Sequence, residues 1–322
     1  MKKQKIELKN VRSFNLEHIF ECGQCFRWNK NDDGSYTGVV KKNVINIKML
    51  NNDVHVESYG EDDLNKLINY YFDMDRDYDS IKDELRKIDN NMKKSIIYGE
   101  GIRLLNQDLW ETIISFIISA NNNIPRIKGI IERISKRFGD KIECNGVQYY
   151  TFPTPEQLGK ASVQDLRNLG LGFRDVRVFE TTKMVLNKEI NLDKLHNEKN
   201  TQVVREELLK LPGVGPKVAD CILLFSTLKR LDVFPIDVWV RRVMNELYIH
   251  KEDENKVDKK LVLSMANEKF GDLQGIAQQY LFYWKRGWHK TRPSLNVSKM
   301  TQNKTVPKRF ILKKGFKRCQ LD

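Results

Sequence analysis

The spacing of apolar residues changes once along this chain, near residue 60, and that change sets the architecture. Before it, 25-CFRWNKNDDGSYTGVV-40 and 43-NVINIKMLNNDVHVESY-59 each carry two alternating runs around an Asn/Asp-rich turn. A period of two interrupted by turn residues predicts antiparallel strands, and residues 1–58 read as strands throughout. From Glu61 onward the apolar residues recur every three to four positions. That spacing predicts helices over 61–73, 79–88, 108–120, 125–138, 162–169, 174–187, 202–210, 216–228, 237–248, 257–270 and 273–288. Asp108 with Glu111 three residues on reads as a capping box. A sheet followed by helices, with no internal repeat, is an α+β fold. The expected division is an N-terminal antiparallel sheet domain with flanking helices over 1–95, a helical body over 96–290, and a basic tail over 291–322.

The net charge of +13 points to a polyanionic partner, but it is unevenly placed. Residues 285–322 hold twelve Lys/Arg against one Asp, which leaves about +2 for the rest of the chain. A nucleic-acid site on the body must therefore rely on placed groups and backbone amides, with the tail adding non-specific, salt-sensitive affinity. No run is long and apolar enough for a membrane span, and no apolar segment follows the charged N-terminus, so a soluble intracellular protein is expected. The five cysteines give no disulfide framework.

The stretch 211-LPGVGPKVADC-221 joins two helical segments through Gly213 and Gly215. Glycines there permit positive φ and leave backbone N–H groups uncovered at a helix start, a site suited to phosphate; they equally suit a plain helical hairpin. Lys217 stands in the first turn, where the helix dipole disfavours an ammonium. Dipole and partial burial together are expected to lower its pKa and free a nucleophilic amine. Some twenty residues on, Asp237 opens the next helix, as a cap, as a carboxylate that stabilises a cation developing at a sugar carbon, or as both. The pair Cys22 and Cys25 lacks further ligands for zinc and precedes a hairpin, so it reads as structural, with Cys25 inward.

The run L-P-G-V-G-P-K-V-A-D-C followed by P-x-D-V resembles the 8-oxoguanine DNA glycosylase/AP lyase family of the helix-hairpin-helix DNA glycosylase superfamily. So do 21-ECGQCFRW-28, 115-SFIISANNNIPRI-127, 169-LGLGFR-174 and 277-AQQYLF-282, in the family's order, extending the resemblance from about residue 8 to 289. The resemblance implies excision of 8-oxoguanine from duplex DNA through a lysine Schiff base, then strand cleavage by β-elimination. It implies Lys217 as nucleophile with Asp237 as partner, and Gly23, Cys221, Gln278 and Phe282 around the flipped base. It further implies Asn121 in the vacated gap, Arg126 and Arg174 on the orphaned cytosine, and Phe173 as the wedge. Without the resemblance, Cys221 and Phe282 would read as core, Asn121 as a helix stop and Phe173 as an apolar contact after a turn. Gly213 and Gly215 would hold phosphate. Trp239 stands where well-known eukaryotic members have a histidine on phosphate, and its indole N–H can donate.

Only Cys319 follows the catalytic segment, so the four-cysteine iron–sulfur loop of related glycosylases is absent. No cofactor is expected, although the hairpin carbonyls could hold a monovalent cation. The expected partner is double-stranded DNA carrying 8-oxoguanine, met by a monomer in the cytoplasm, or in the nucleus of a eukaryote. Two alternatives are a non-catalytic helix-hairpin-helix DNA-binding protein and an alkyl-base glycosylase on the same fold. Neither requires the Lys217–Asp237 pair.

Overall fold

The computed structural model describes residues 2–253 and 256–291; the basic tail from residue 292, with Cys319, lies outside them. Five strands, β1 (Lys2–Leu8), β2 (Trp28–Lys30), β3 (Tyr36–Val40), β4 (Asn43–Leu50) and β5 (Asp53–Gly60), form one antiparallel sheet in the order β1-β5-β4-β3-β2. The alternation read from the sequence appears directly in β5, where every second residue from Val54 is buried. The Asn51-Asn52 turn joins β4 to β5, with Asn51 left-handed at φ 56°. One element departs from the expected strands. Leu16–Phe20 is a short helix, α1, because Asn15 caps it by accepting from the His18 N–H. Its Phe20 stacks on Trp28, ring centres 4.2 Å apart, and Trp28 donates to the Tyr71 hydroxyl.

The chain then turns helical: α2 (Leu64–Tyr71), α3 (Tyr78–Arg86), α4 (Asn90–Tyr98), α5 (Leu109–Ser119) and α6 (Ile124–Phe138). A hairpin of β6 (Lys141–Cys144) and β7 (Val147–Tyr150) follows, too short to register as a separate signal in the sequence. Next come α7 (Pro155–Leu158), α8 (Val163–Asn168), α9 (Asp175–Leu186), α10 (Leu192–Asn197), α11 (Thr201–Leu209) and α12 (Pro216–Phe225). The last are α13 (Val238–Met244), α14 (Lys259–Phe270) and α15 (Gln274–Thr291). Helix α5 starts where expected, with Asp108 accepting from the Glu111 N–H. The reciprocal half of the capping box is not made. The Glu111 side chain lies 3.8 Å from Arg27 instead, and burial raises its carboxyl to about 7.

Two large hydrophobic cores result, with a small third cluster of Val39, Val44, Ile142 and Cys144 between the sheet and β6. One lies between the sheet and α1 and α2; the other fills the helical body around α5, α6, α12 and α15. The segment Cys22–Cys25 straddles them, for Cys22 belongs to the helical core and Cys25 to the sheet core. Both thiols are buried, and burial raises both pKa values, Cys22 to about 11, which keeps them unreactive. Gln24, fully buried between the cysteines, donates to the carbonyls of Ile19 and Arg103 and accepts from the Leu105 N–H. Gln107 donates to the carbonyls of Gln24 and Phe225. These amides satisfy the loop's polar groups inside the protein and so fix Gly23 where the two cores meet.

Candidate active site

Helix α12 begins without a side-chain cap. Gly215 is its N-cap, Pro216 occupies the first turn, and nothing lies within 4 Å of where a Gly215 Cβ would be. Gly213, at φ 87°, makes the turn from α11. The start of α12 is therefore open to an anion. Arg205 on α11 pairs with Asp220 on α12 at 2.7 Å, tying the two arms of the hairpin together. Burial still raises the Asp220 carboxyl to about 6, against the pull of Arg205.

In the first turn of α12, Lys217 enters a cavity lined by side chains from widely separated segments. Gly23, Phe116, Lys217, Cys221, Asp237, Gln278 and Phe282 all line it. Asp237 caps α13 by accepting from the Val240 N–H at 2.7 Å, so its orientation is fixed while it faces the lysine. The lysine nitrogen lies 5.6 Å from the centre of the Phe116 ring.

The electrostatics correct the sequence expectation. Lys217 was expected to sit below the ordinary lysine range. Instead Cys221 first, and then Asp237, hold its pKa above that range, against the effect of burial. Burial pushes the Cys221 thiol up to about 11. With its pKa raised, the resting nucleophile is protonated.

The far wall is α15. Gln278 is 5% exposed, and its Oε1 is buried without a hydrogen-bond partner, whereas the adjacent Gln279 donates to the Cys22 carbonyl at 2.7 Å. A buried acceptor left open beside a cavity is costly unless a ligand supplies the donor. The cavity encloses about 50 Å³, room for a few waters and less than a purine requires. Two contributors were not visible in the sequence. Phe116 is one apolar residue among many in α5. Arg286 sits one turn beyond Phe282, its guanidinium 5.6 Å from that ring, and donates to the Glu21 carbonyl beside Gly23.

A second group lies on the turns between α5 and α6 and between α8 and α9. Asn121 is left-handed, at φ 50°, and exposed. Asn123 caps α6 through the Arg126 N–H, and the exposed Arg126 donates to the Gly170 carbonyl at 3.3 Å. Phe173 is 55% exposed, a large apolar ring held out in water. Arg174 does not stand beside Arg126 as a free donor. It is 1% exposed, donating to the carbonyls of Ala120, Asn121 and Leu171, so it reaches a base only by giving up those bonds. Trp239, in the first turn of α13, packs against the helical core.

Among the described residues no cluster of three His, Cys, Asp or Glu could hold a metal ion, and no helix is long and apolar enough to cross a membrane. Residues 6–113 match the family model of the 8-oxoguanine DNA glycosylase N-terminal domain. Residues 114–280 match that of the HhH-GPD superfamily base excision DNA repair proteins. A probable N-glycosylase/DNA lyase of Methanothermobacter thermautotrophicus is 34% identical over 239 residues, 68% of this chain and 74% of that protein. The N-glycosylase/DNA lyase of Saccharomyces cerevisiae is 30% identical over 310 residues, 83% of this chain and 82% of that protein. The crystal structure of the Clostridium acetobutylicum 8-oxoguanine glycosylase/lyase, bound to double-stranded DNA with cytosine opposite 8-oxoguanine, is similar at TM-score 0.83 and 41% identity. That similarity covers 89% of this chain and 98% of that one.

Proposed function

The chain belongs to the 8-oxoguanine DNA glycosylase/AP lyase family of the helix-hairpin-helix superfamily, and from that premise we propose how its residues divide the reaction. It is a bifunctional DNA repair enzyme that excises 8-oxoguanine from duplex DNA and then cleaves the strand. The observation that carries the residue assignment is the convergence of Lys217, Asp237, Cys221, Gln278, Phe282 and Gly23 on one cavity. A non-catalytic hairpin has no use for a paired lysine and carboxylate facing an open buried amide.

A flipped base is read between Phe282 and Cys221, with its Watson–Crick edge donating to the open Gln278 oxygen. Gly23, at φ 89°, lets the backbone approach the base, and its carbonyl accepts the N7–H that guanine lacks. As the glycosidic bond breaks, its electron pair leaves with the base, and the Asp237 carboxylate faces the positive charge growing at C1′. Lys217 must release a proton, which the departing base anion takes up, before its nitrogen can bond C1′. The C1′–O4′ bond then breaks as O4′ takes a proton from that nitrogen, giving the Schiff base. Its iminium acidifies C2′–H, and loss of that proton expels the 3′ phosphate by β-elimination. The uncovered amides at Gly213 and Gly215 hold backbone phosphate. The Leu211 and Gly215 carbonyls, each already accepting one backbone N–H, retain a second lone pair for a monovalent cation. Asn121 fills the vacated gap, Phe173 wedges the stack, and Arg126 reads the opposite cytosine. Arg174 holds the Asn121 turn in the resting state.

The deciding experiment is borohydride trapping on a duplex with one 8-oxoguanine, followed by mapping of the cross-linked peptide. Attachment at Lys217 is expected; attachment at another lysine overturns the assignment.

A further inference from the structure

Arg177, on the first turns of α9, has no part in the machinery assigned so far, yet it touches two pieces of it. Its aliphatic stem crosses the hairpin glycine: a Cβ on Gly213 would lie 2.7 Å from Arg177 Cδ and 3.4 Å from its Cβ and Cγ. Its guanidinium carbon stands 5.0 Å from the centre of the exposed Phe173 ring, which Arg174 approaches to 4.1 Å. The ring is therefore held by two cations. Arg174 is anchored in the carbonyls of the Asn121 turn, and Arg177 lies along the hairpin four residues before Lys217. The turn that bears Phe173 includes Gly170 and Gly172, both at positive φ, so its backbone alone gives the ring little stiffness.

We propose that Arg177 is a positioning residue that fixes the Phe173 wedge to the phosphate-binding hairpin. Insertion of the ring and seating of the backbone at α12 then occur in register. The inference rests on reading Phe173 as the wedge. Side-chain length matters here, because the stem must span Gly213 while the planar head covers the ring, and guanidinium on an aromatic face supplies the attraction. Any side chain at position 213 would displace the stem, in addition to the strain of a left-handed non-glycine residue.

The experiment compares single-turnover excision of 8-oxoguanine paired with cytosine and of 8-oxoguanine opposite an abasic site, where no pair has to be broken. Wild type, Phe173→Ala, Arg177→Met and the double variant are measured on both duplexes. Arg177→Met keeps an aliphatic stem over Gly213 and removes the cation. It is expected to slow excision of the paired lesion about tenfold and to regain most of that loss on the unpaired one. The double variant should be no slower than Phe173→Ala alone. If Phe173→Ala recovers on the unpaired lesion but Arg177→Met does not, the wedge reading stands and the role of Arg177 is overturned. If Phe173→Ala fails to recover, the wedge reading itself falls. An equal Arg177→Met defect on both duplexes, with a flatter salt dependence of binding, makes Arg177 a phosphate contact and also overturns the proposal. Should Arg177→Met lose thermal stability, Arg177→Gln supplies the same comparison, since it keeps part of the stem and removes the cation.

Discussion

The catalytic cavity and the face formed by Asn121, Arg126 and Phe173 are assigned to the same flipped nucleotide, yet they are built in opposite ways. The cavity is made mainly from side chains on regular helices, with Cys221 and Gln278 buried and the Lys217 ammonium set against Cys221 and Asp237. The other face is made from turns: Asn121, Gly170 and Gly172 are all at positive φ, Phe173 is exposed, and the arginines donate to backbone carbonyls. The difference follows from what each must do. Bond breaking needs charges already in place, because reorganising them during the reaction raises the barrier. Filling a gap in a duplex needs groups that project, and projection requires turns whose backbone strain is held by their surroundings. Damage to the cavity should therefore remove rate, and damage to the face should remove discrimination.

The largest effect is expected for Lys217→Gln, which should abolish borohydride trapping and strand cleavage while lesion binding persists. Strand cleavage at the wild-type rate in this variant would erase the contrast altogether. Asp237→Asn comes next. The amide keeps the cap on α13 but loses the charge, and base release should slow by about a hundred- to a thousandfold, the scale of one preset electrostatic group. A rate within a few-fold of wild type in single-turnover excision would make Asp237 only a cap.

Arg126→Met tests the other face. A good base-edge contact contributes about 1–3 kcal/mol of discrimination, so excision opposite cytosine should lose its advantage over adenine by about ten- to a hundredfold. Total activity should fall less. Excision rates opposite each of the four bases decide it, and a uniform loss would assign Arg126 to phosphate instead.

The smallest effect on catalysis is expected at Lys229, which belongs to neither region. Its ammonium donates to the Leu104 and Leu105 carbonyls at 2.7 and 2.8 Å, and burial lowers its pKa to about 7 despite Asp73. Between that value and the ordinary lysine value, the unfolded chain holds a proton that the native chain has released, so this group adds stability as pH rises through the interval. Lys229→Met should leave excision by the folded enzyme unchanged and cost about 1–3 kcal/mol, the scale of leaving buried acceptors open. Its stability deficit should widen above about pH 7, as urea unfolding at several pH values would show. A deficit independent of pH would mean that Lys229 stays charged.

The sequence carried most of the fold because its two periods are local properties. The change from period two to period three-and-a-half near Glu61 separated sheet from helices, and caps such as Asp108 and Asp237 placed helix starts to within a residue. It missed α1 because five residues around Leu16 and Ile19 are too few to show a helical period inside a strand-like region, and it also missed α4, α7 and α10, each of nine residues or fewer. The family resemblance named the residues that meet at the cavity, but it could not supply their state. The raised pKa of Lys217 depends on Cys221 one turn away and on Asp237 from another helix, a balance of distances that only packing sets. The same holds for Arg174, whose exposed-looking G-F-R context gave no sign that its guanidinium would be buried in the carbonyls of a turn more than fifty residues earlier. Chain order alone determined most of the elements and the candidate chemistry. Which charges stand together, and which donors are already committed, was decided by tertiary contacts between segments that the sequence keeps far apart.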